Sequence, residues 1–378
     1  MKTFFAGDVC PTSDTIPLYA AKDTATLFGN VATLLEGCDL ACVNLECAIT
    51  ESENAIPKFG PNLKAPAGTA DVLKELGVTL CGISNNHVFD FGIEGAVDTM
   101  KELDRVGIPY TGFGNNYEDS RKNYTFEKDG ERICVMAVCE HEYSYAIEDR
   151  MGSRPFDVFD TMEDIENAKK THDRVIVLYH GAKEMCRYPS PRLIKACHAM
   201  AKHGADLVIG QHSHCIGAYE QFEGCHIFYG QGNFQFVRKD STSDLWNTCL
   251  AVNYDTKTHE IVFTPVRANP EQGTIALAEG EDKETILAEF AARNASLHDG
   301  TWKDGWHAFC EEKKESYEKV IRRACVEGAE ERHNAHFGHY LDCEAHTDVW
   351  KELFPTYNQF NETERDIRDT LDFKPSKL

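Results

Sequence analysis

Short apolar runs that end directly on polar, ligand-type side chains recur in five places, and this recurrence limits the possible folds more than any other feature. Such runs are typical of buried strands. In an α/β sheet the carboxyl ends of the strands meet along one edge, so side chains far apart in sequence converge there. The side chains are Asp8 in AGDVC, Asn44 and Glu46 in VNLE, Asn85, Asn86, His87 and Asp90 in SNNHVFD, His180 in LYHG, and His212 and His214 in GQHSH.

The chemistry of this set predicts a metal site. Carboxylate, amide oxygen and imidazole together suit divalent ions such as manganese, iron or zinc. Each residue taken singly could instead be a capping Asp or a structural His, but the repetition favours a site for one or two ions. Because His212 and His214 can face one site only if the backbone turns between them, we expect Gly210 and Gly217 to allow that turn.

The remaining patterns predict an α/β domain over residues 1–279 and a helical extension over residues 280–378. Strand-like runs alternate with amphipathic stretches in the first part of the chain, which is typical of crossover units around a sheet. Residues 218–266 then read as antiparallel strands with a hairpin turn at Glu223 and Gly224, so a mixed sheet or two facing sheets are expected. The extension is highly charged, and we expect aromatic residues such as Trp302 and Tyr317 to anchor it.

Charge and cysteine usage exclude some classes of protein. The net charge is -23 and is spread along the chain, which argues against a nucleic-acid partner. The cysteines lie in apolar runs without a C-x-x-C pair, as is typical of buried thiols in a reduced compartment. The N-terminal run MKTFFAGD offers neither a signal-peptide core nor a membrane span. These features predict a cytoplasmic protein with no membrane partner.

The motifs GDVC, NLE, NNHxxD, YHG, GQHSH and YGQGNF follow one another over about residues 1–240. This order resembles the bacterial capsule-synthesis family CapA, or poly-γ-glutamate capsule proteins, a branch of the calcineurin-like metallophosphoesterase superfamily. The resemblance implies a four-layer α/β/β/α sandwich with mixed sheets, followed here by a C-terminal helical extension. The ligands it implies are Asp8 and His214 for the first metal, Glu46 as the bridging carboxylate, and Asn86, His180 and His212 for the second metal.

The resemblance also implies a catalytic acid. His87 takes the place of the histidine that protonates or positions the leaving group, and Asp90 is close enough in sequence to orient it. Lys64 could neutralise an anionic group, or it could be a solvated surface lysine. Further candidate residues near the motifs are Asn44, Asn85 and Asn233.

The chain departs from the superfamily pattern at two ligand positions. The usual first motif is D-x-H, whereas Asp8 is followed by Val9 and Cys10, so the first metal lacks an imidazole. Cys10 could bind as a thiolate or could be a packed cysteine. The usual bridging Asp is replaced by Glu46, whose extra methylene moves the carboxylate oxygens. The sequence is therefore compatible with a site for one ion or for two.

Three functions are compatible with these residues. The first is metal-assisted hydrolysis of a phosphoester in a small anionic or phosphorylated substrate. The second is a non-catalytic or accessory role in capsule synthesis, and the third is hydrolysis of an amide by the same metal site. A poly-γ-glutamate chain would be repelled by the net charge unless a local basic patch holds it.

A cluster of histidines occurs near the C-terminus, in HNAHFGHYLDCEAH. Residue spacings of three place His333, His336 and His339 along one helical stripe, with Cys343 and His346 following. The stripe could bind a metal, but a polar face against the core or solvent is the simpler interpretation, and Gly338 argues against a rigid helix.

Overall fold

The computed structural model describes residues 1–140 and 142–354. Elements are numbered in chain order. The strands are β1 Lys2–Val9, β2 Leu40–Leu45, β3 Ala48–Ile49, β4 Lys64–Ala65, β5 Leu80–Gly82, β6 Tyr110–Thr111, β7 Phe113–Gly114, β8 Tyr124–Lys128, β9 Glu131–Cys139, β10 Gly152–Ser153, β11 Arg174–His180, β12 Leu207–Gln211, β13 Tyr219–Phe222, β14 Cys225–Phe228, β15 Asn233–Gln235, β16 Thr248–Asp255, β17 Glu260–Asn269 and β18 Thr274–Leu277.

The helices are α1 Ile16–Ala20, α2 Thr24–Phe28, α3 Gly68–Leu76, α4 Gly92–Val106, α5 Tyr117–Ser120, α6 Val158–Lys169, α7 Pro191–Lys202, α8 Gly280–Asp299, α9 Trp302–Ala324, α10 Glu331–Asp342 and α11 Glu344–Leu353. The amphipathic stretch over residues 24–35 predicts one helix. The structure instead has α2 followed by a 3-10 helix over Gly29–Leu34, because the chain bends at Gly29, whose φ is 46°.

Two mixed sheets form the centre of the fold. The first has the strand order β18-β17-β16-β1-β2-β5-β6, with β15 paired to the end of β1. The second has the order β13-β14-β12-β11-β9-β8, in which parallel strands are flanked by antiparallel β8 and β13. The β13–β14 hairpin turns at Glu223 and Gly224, both with positive φ, as the sequence predicts.

The two sheets face each other with helices on their outer sides. Phe5 of the first sheet packs in one cluster with Ile176 of the second, so this core lies between the sheets. Phe4, on the opposite face of β1, belongs to a cluster with residues of α2, α3 and α4. Val177 of β11 belongs to a third cluster, with residues of α6 and α7. This alternation confirms the four-layer α/β/β/α sandwich with mixed sheets.

The C-terminal part is helical, as predicted. Ile286 and Phe290 of α8 belong to the core between the sheets. Helices α9 and α11 make a separate cluster around Trp306, Tyr317 and Val349. Strand β18 ends at Leu277 and α8 begins at Gly280, and the last part of the predicted extension, residues 355–378, lies outside the described residues. No helix in the described ranges is long and apolar enough to cross a membrane.

Candidate metal centre

The strand ends of both sheets meet at one buried cluster of ligand-type side chains. Asp8 lies in β1, Glu46 directly follows β2, and Asn86 lies in the loop after β5, so the first sheet supplies these three. The second sheet supplies His180, which ends β11, together with His212 and His214 after β12. Burial of Asp8, Glu46 and the three histidines is nearly complete. The structure therefore brings together residues that the sequence places in five separate segments.

Ligand atoms in this cluster form groups tight enough for one ion each. One group is Glu46, His180 and His212, and another is Asp8, Glu46 and His214, with all atoms of a group within 4.8 Å of one another. His180 Nε2 lies 3.3 Å from Glu46 Oε1, and His214 Nδ1 lies 3.3 Å from Asp8 Oδ2. Glu46 belongs to both of these groups. A divalent ion fits this donor set.

Glu46 gives an independent reason to place a cation here. Both of its carboxylate oxygens are buried, and neither has a hydrogen-bond partner. Burial and the neighbouring Asp8 carboxylate raise its pKa. A buried carboxylate without hydrogen bonds is costly unless an opposite charge compensates it. Histidines are the nearest partners of Glu46, with His180 Nε2 at 3.3 Å, and this donor set fits a metal ion.

Two carboxylates surround His214. Burial alone would lower its pKa, but the carboxylates of Glu46 and Asp8 raise the pKa of His214 to about 10. Burial alone would raise the pKa of Asp8, but its hydrogen bond with His214 lowers it. Asp8 and Glu46 thus set the electrostatics of His214, and His214 in turn stabilises the ionised form of Asp8.

The backbone around the two histidines differs from the sequence expectation. His212 and His214 themselves have left-handed φ values of 74° and 51°. Such values are strained for residues other than glycine and occur at functional sites. The histidines make the turn, so the expectation that Gly210 and Gly217 would make it is wrong. The His212 N–H donates to Asp8 Oδ2 at 3.3 Å, which ties the turn to β1.

The two glycines instead allow a close approach of the neighbouring chain. A Cβ on Gly210 would lie 2.8 Å from the carbonyl oxygen of Tyr229. We expect Gly210→Ala to lower the free energy of unfolding by about 1 to 3 kcal/mol, because backbone atoms must shift to admit the methyl group. Denaturant unfolding measures this. Gly338→Ala is the control, since nothing lies within 4 Å of that position in α10, and an equal loss in both variants would contradict the steric argument.

Three asparagines contact side chains of the candidate centre. Asn86 Oδ1 lies 2.9 Å from His180 Nε2, close to the group that includes Glu46. Asn44 Nδ2 donates to Asp8 Oδ1 at 2.7 Å. On the other side, Asn233 Oδ1 lies 2.8 Å from His214 Nδ1. Asn44 and Asn233 therefore orient the side chains that border the centre.

Two candidates lie in other surroundings, and a third, Asn85, shapes the loop after β5 and donates to Asn44 Oδ1 at 3.1 Å. Cys10 packs in the core between the first sheet and its helices, where burial raises the pKa of its thiol well above the usual value. Lys64 Nζ contacts Glu53 and the Ser52 carbonyl oxygen. Asn85 Oδ1 accepts hydrogen bonds from the amides of His87 and Val88. Within the ranges that the structure describes, Cys10 is not part of the ligand groups.

His87 borders the centre with its expected partner and with a lysine that the sequence did not reveal. His87 Nδ1 lies 2.6 Å from Asp90 Oδ2. Lys58 Nζ contacts Asp90 Oδ1 and lies 3.1 Å from His87 Nδ1, and only 2% of the Lys58 side chain is exposed. Lys58 and Lys64 belong to one loop, IPKFGPNLKAP, and the sequence carries no signal that distinguishes them.

Glu184 is a second residue that sequence reasoning missed. It forms a third ligand group with His212 and His214, and its carboxylate lies 3.9 Å from His212 Nε2. Half of its side chain is exposed, so it stands at the rim of the centre. The signal was its position four residues after His180 in the loop that follows β11.

A cavity of about 230 Å³ opens over the centre. Asn86, His87 and His212 line it on the side of the metal ligands, with Lys58 and Lys183 beside them. The C-terminal histidines lie on the other side, where Tyr340 and His346 stack with ring centroids 3.7 Å apart. Across residues 1–140 and 142–354, the ligand groups close enough to hold an ion do not include these C-terminal histidines.

Comparison with known proteins places the chain in a family. The family described as "Bacterial capsule synthesis protein PGA_cap" matches residues 2–238. The capsule biosynthesis protein CapA of Bacillus anthracis is 30% identical over 223 residues, which are 56% of this chain and 54% of that protein. The PGA biosynthesis protein CapA of Bacillus subtilis is 27% identical, over 61% of this chain and 62% of that protein. The chain thus spans less than two thirds of the length of these relatives.

More distant similarities were also found. A probable polyglutamine synthesis accessory protein of Mycobacterium tuberculosis is 26% identical over 54% of this chain and 58% of that protein. Among solved structures, a 5′-nucleotidase precursor from Thermus thermophilus aligns with a TM-score of 0.41 at 12% identity, covering 77% of this chain and 58% of that one. That score is too low to support an argument. The match over residues 2–238 is sufficient by itself: the chain belongs to the bacterial capsule synthesis family PGA_cap.

Proposed function

We propose that the chain is a metal-dependent hydrolase that acts on a phosphoester in a small anionic substrate. The observation that carries this proposal is the buried Glu46 carboxylate, which lacks hydrogen bonds and is common to two ligand groups. The side chains proposed to hold one or two ions of manganese, iron or zinc are Asp8, Glu46, Asn86, His180, His212 and His214. A bound divalent ion supplies Lewis acidity and activates water for attack at neutral pH.

The residues around the cavity have separate roles in this proposal. His87 protonates the leaving oxygen from the side of its ring that is not held by Asp90. Asp90 fixes the orientation of His87, and the buried contact with Lys58 holds the Asp90 carboxylate in place. Lys183, which also lines the cavity, attracts the anionic group of the substrate.

Amide hydrolysis is the second candidate. The printed names of the relatives connect them with the biosynthesis of PGA and polyglutamine. The same activated water could attack a γ-glutamyl amide, and the two lysines would attract its carboxylate. The net charge of -23 works against a long polyanion lying over the surface. An accessory role without catalysis remains the third candidate. Absence of nucleic-acid and membrane partners, and a cytoplasmic location, are predictions.

Metal content tests the metal site on which both proposed hydrolase activities depend. We expect protein purified without chelator to carry one to two transition-metal ions per chain, because imidazole and carboxylate donors select such ions. Elemental analysis measures the content before and after dialysis against a chelator. A protein that carries no transition metal and takes up none on titration would contradict the proposal.

Hydrolysis assays then distinguish the three candidate functions. Metal-loaded protein is assayed against phosphomonoesters, phosphodiesters and γ-glutamyl amides, with the chelator-treated protein as control. Turnover of phosphoesters alone supports the first candidate, and turnover of γ-glutamyl amides alone supports the second. Metal binding without turnover of any of these compounds supports the accessory role.

A further inference from the structure

The cavity over the metal centre is completed by helices that lie outside the residues matched by the family. The match ends at residue 238, whereas His339, Tyr340 and His346 of α10 and α11 line the cavity. These three residues face the side that carries Asn86 and His212. The substrate space is therefore formed jointly by the sandwich and by this C-terminal wall, defined here as residues 339–346.

The wall is fixed to the sandwich by polar contacts. Asp348 of α11 is buried and accepts hydrogen bonds from Ser190 Oγ at 2.5 Å and Arg192 Nε at 3.0 Å. Arg192 also forms an ion pair with Glu140 at 2.5 Å. The Glu140 amide donates to the carbonyl oxygen of His180 at 2.9 Å. These contacts join α11 to the strand end that carries a proposed ligand.

Aromatic contacts fix the wall from the other side. Phe59 follows Lys58 in its loop and stacks on His336 of α10 with ring centroids 3.7 Å apart. Tyr317 Oη lies 2.6 Å from His346 Nδ1, which holds the ring that stacks on Tyr340. A wall held on both sides sets a definite width for the cavity.

His339 borders both this cavity and a wider groove. Lys58, Tyr143 and His339 line both the inner cavity of about 230 Å³ and an outer groove of about 730 Å³. The His339 ring is nearly parallel to that of Tyr143, with centroids 5.6 Å apart. The inner volume lies below the range of about 300 to 1,000 Å³ that is usual for drug-sized ligands. We expect removal of the imidazole to widen the opening between the two spaces.

We propose that His339 is a specificity-determining residue that limits the substrate of this centre to a small anionic ester by closing the cavity towards the outer groove. The inference rests on the proposed hydrolysis of a phosphoester. The anionic group lies near Lys58 and Lys183, and the leaving group lies against the C-terminal wall. A substrate with a bulky leaving group is excluded because His339 occupies the space that it would need.

The test compares two aryl phosphates whose leaving groups have similar acidity but different size, phenyl phosphate and 4-biphenylyl phosphate. Wild-type protein should prefer phenyl phosphate in kcat/KM. His339→Ala should raise the ratio of biphenylyl to phenyl turnover by about tenfold or more, which is the usual effect of one group in a pocket. His339→Phe should keep the wild-type ratio, since it retains the ring. Leu341→Ala, at an exposed position of the same helix, should also leave the ratio unchanged.

Binding gives a second readout that does not need turnover. Calorimetry on manganese-loaded protein compares phenylphosphonate with 4-biphenylylphosphonate in wild type and in His339→Ala, with thermal unfolding as the check on folding. The inference about His339 would be overturned if wild-type protein turned over or bound both sizes equally well. It would also be overturned if folded His339→Ala kept the wild-type ratio. Neither result would contradict the phosphoester function. Failure of wild-type protein both to turn over phenyl phosphate and to bind phenylphosphonate would overturn the phosphoester function and this inference together.

Discussion

Replacing Glu46 with Gln is expected to abolish metal binding while stabilising the metal-free protein. The neutral amide keeps the shape of the side chain but removes the charge that both ligand groups share. Metal affinity should fall by more than about 100-fold, the upper end of what outer partners of ligands contribute. The metal-free variant should gain about 1 to 3 kcal/mol in free energy of unfolding, because a buried carboxylate without hydrogen bonds is no longer present. Asp8 remains to pair with His214.

Two measurements check this pair of opposite effects. Elemental analysis gives the metal content, and denaturant unfolding with and without added manganese gives the two free energies. Wild-type protein should be stabilised by the ion through mass action, whereas Glu46→Gln should not respond to it. Glu51→Gln, at an exposed position on the same segment, serves as the control and should behave as wild type. A metal-free Glu46→Gln protein that is less stable than metal-free wild type would show that the carboxylate serves the fold rather than an ion.

The sandwich could be predicted because its strands are buried on both faces. In β2 every residue from Leu40 to Leu45 is buried, and this run is apolar apart from Asn44. The ligand-type residues were found by their position after such runs. The hairpin at Glu223 and Gly224 followed from the preference of tight turns for residues that tolerate positive φ.

Other parts depended on tertiary contacts that a single sequence does not encode locally. Lys58 and Lys64 have similar surroundings in sequence, yet the fold buries Lys58 against Asp90 and leaves Lys64 with Glu53. The strained φ of His212 could not be foreseen, because propensity assigns such turns to glycine. The position of the C-terminal wall beside the cavity could not be predicted either, because the periodicity of α10 does not indicate which element its histidines face.

Both sheets contribute to the proposed chemistry, and this has a structural consequence. The first sheet carries Asp8, Glu46 and the loop with His87, whereas the second carries His180, His212 and His214. A shift of one sheet against the other would separate the first-sheet and second-sheet members of the two ligand groups that contain Glu46. The buried core between the sheets, which includes Phe5 and Ile176, therefore also maintains the geometry of the centre.

Replacing His87 with Asn is expected to slow hydrolysis by about 10²-fold to 10⁴-fold while metal content stays close to that of wild type. His87 borders the cavity but is absent from the ligand groups found in the described residues, so its loss should remove a proton donor and not a ligand. The size of the effect is the usual contribution of a positioned acid or base. Asn86→Ala, the neighbouring replacement, should reduce metal retention and turnover together, because Asn86 Oδ1 contacts the ligand His180.

The acid role makes a further prediction that a structural role does not. A leaving group such as nitrophenolate needs little protonation, so the loss in His87→Asn should be much smaller for nitrophenyl phosphate than for an alkyl phosphate. Steady-state rates on the two substrates distinguish proton donation from a structural role. They are measured for wild type, His87→Asn and the exposed control His298→Asn. Equal losses for both leaving groups would contradict proton donation. In that case the contact with Asp90 at 2.6 Å would act by holding the loop and its charge in place. Asp90→Asn should then reproduce the whole defect, because it removes the partner that His87 and Lys58 share.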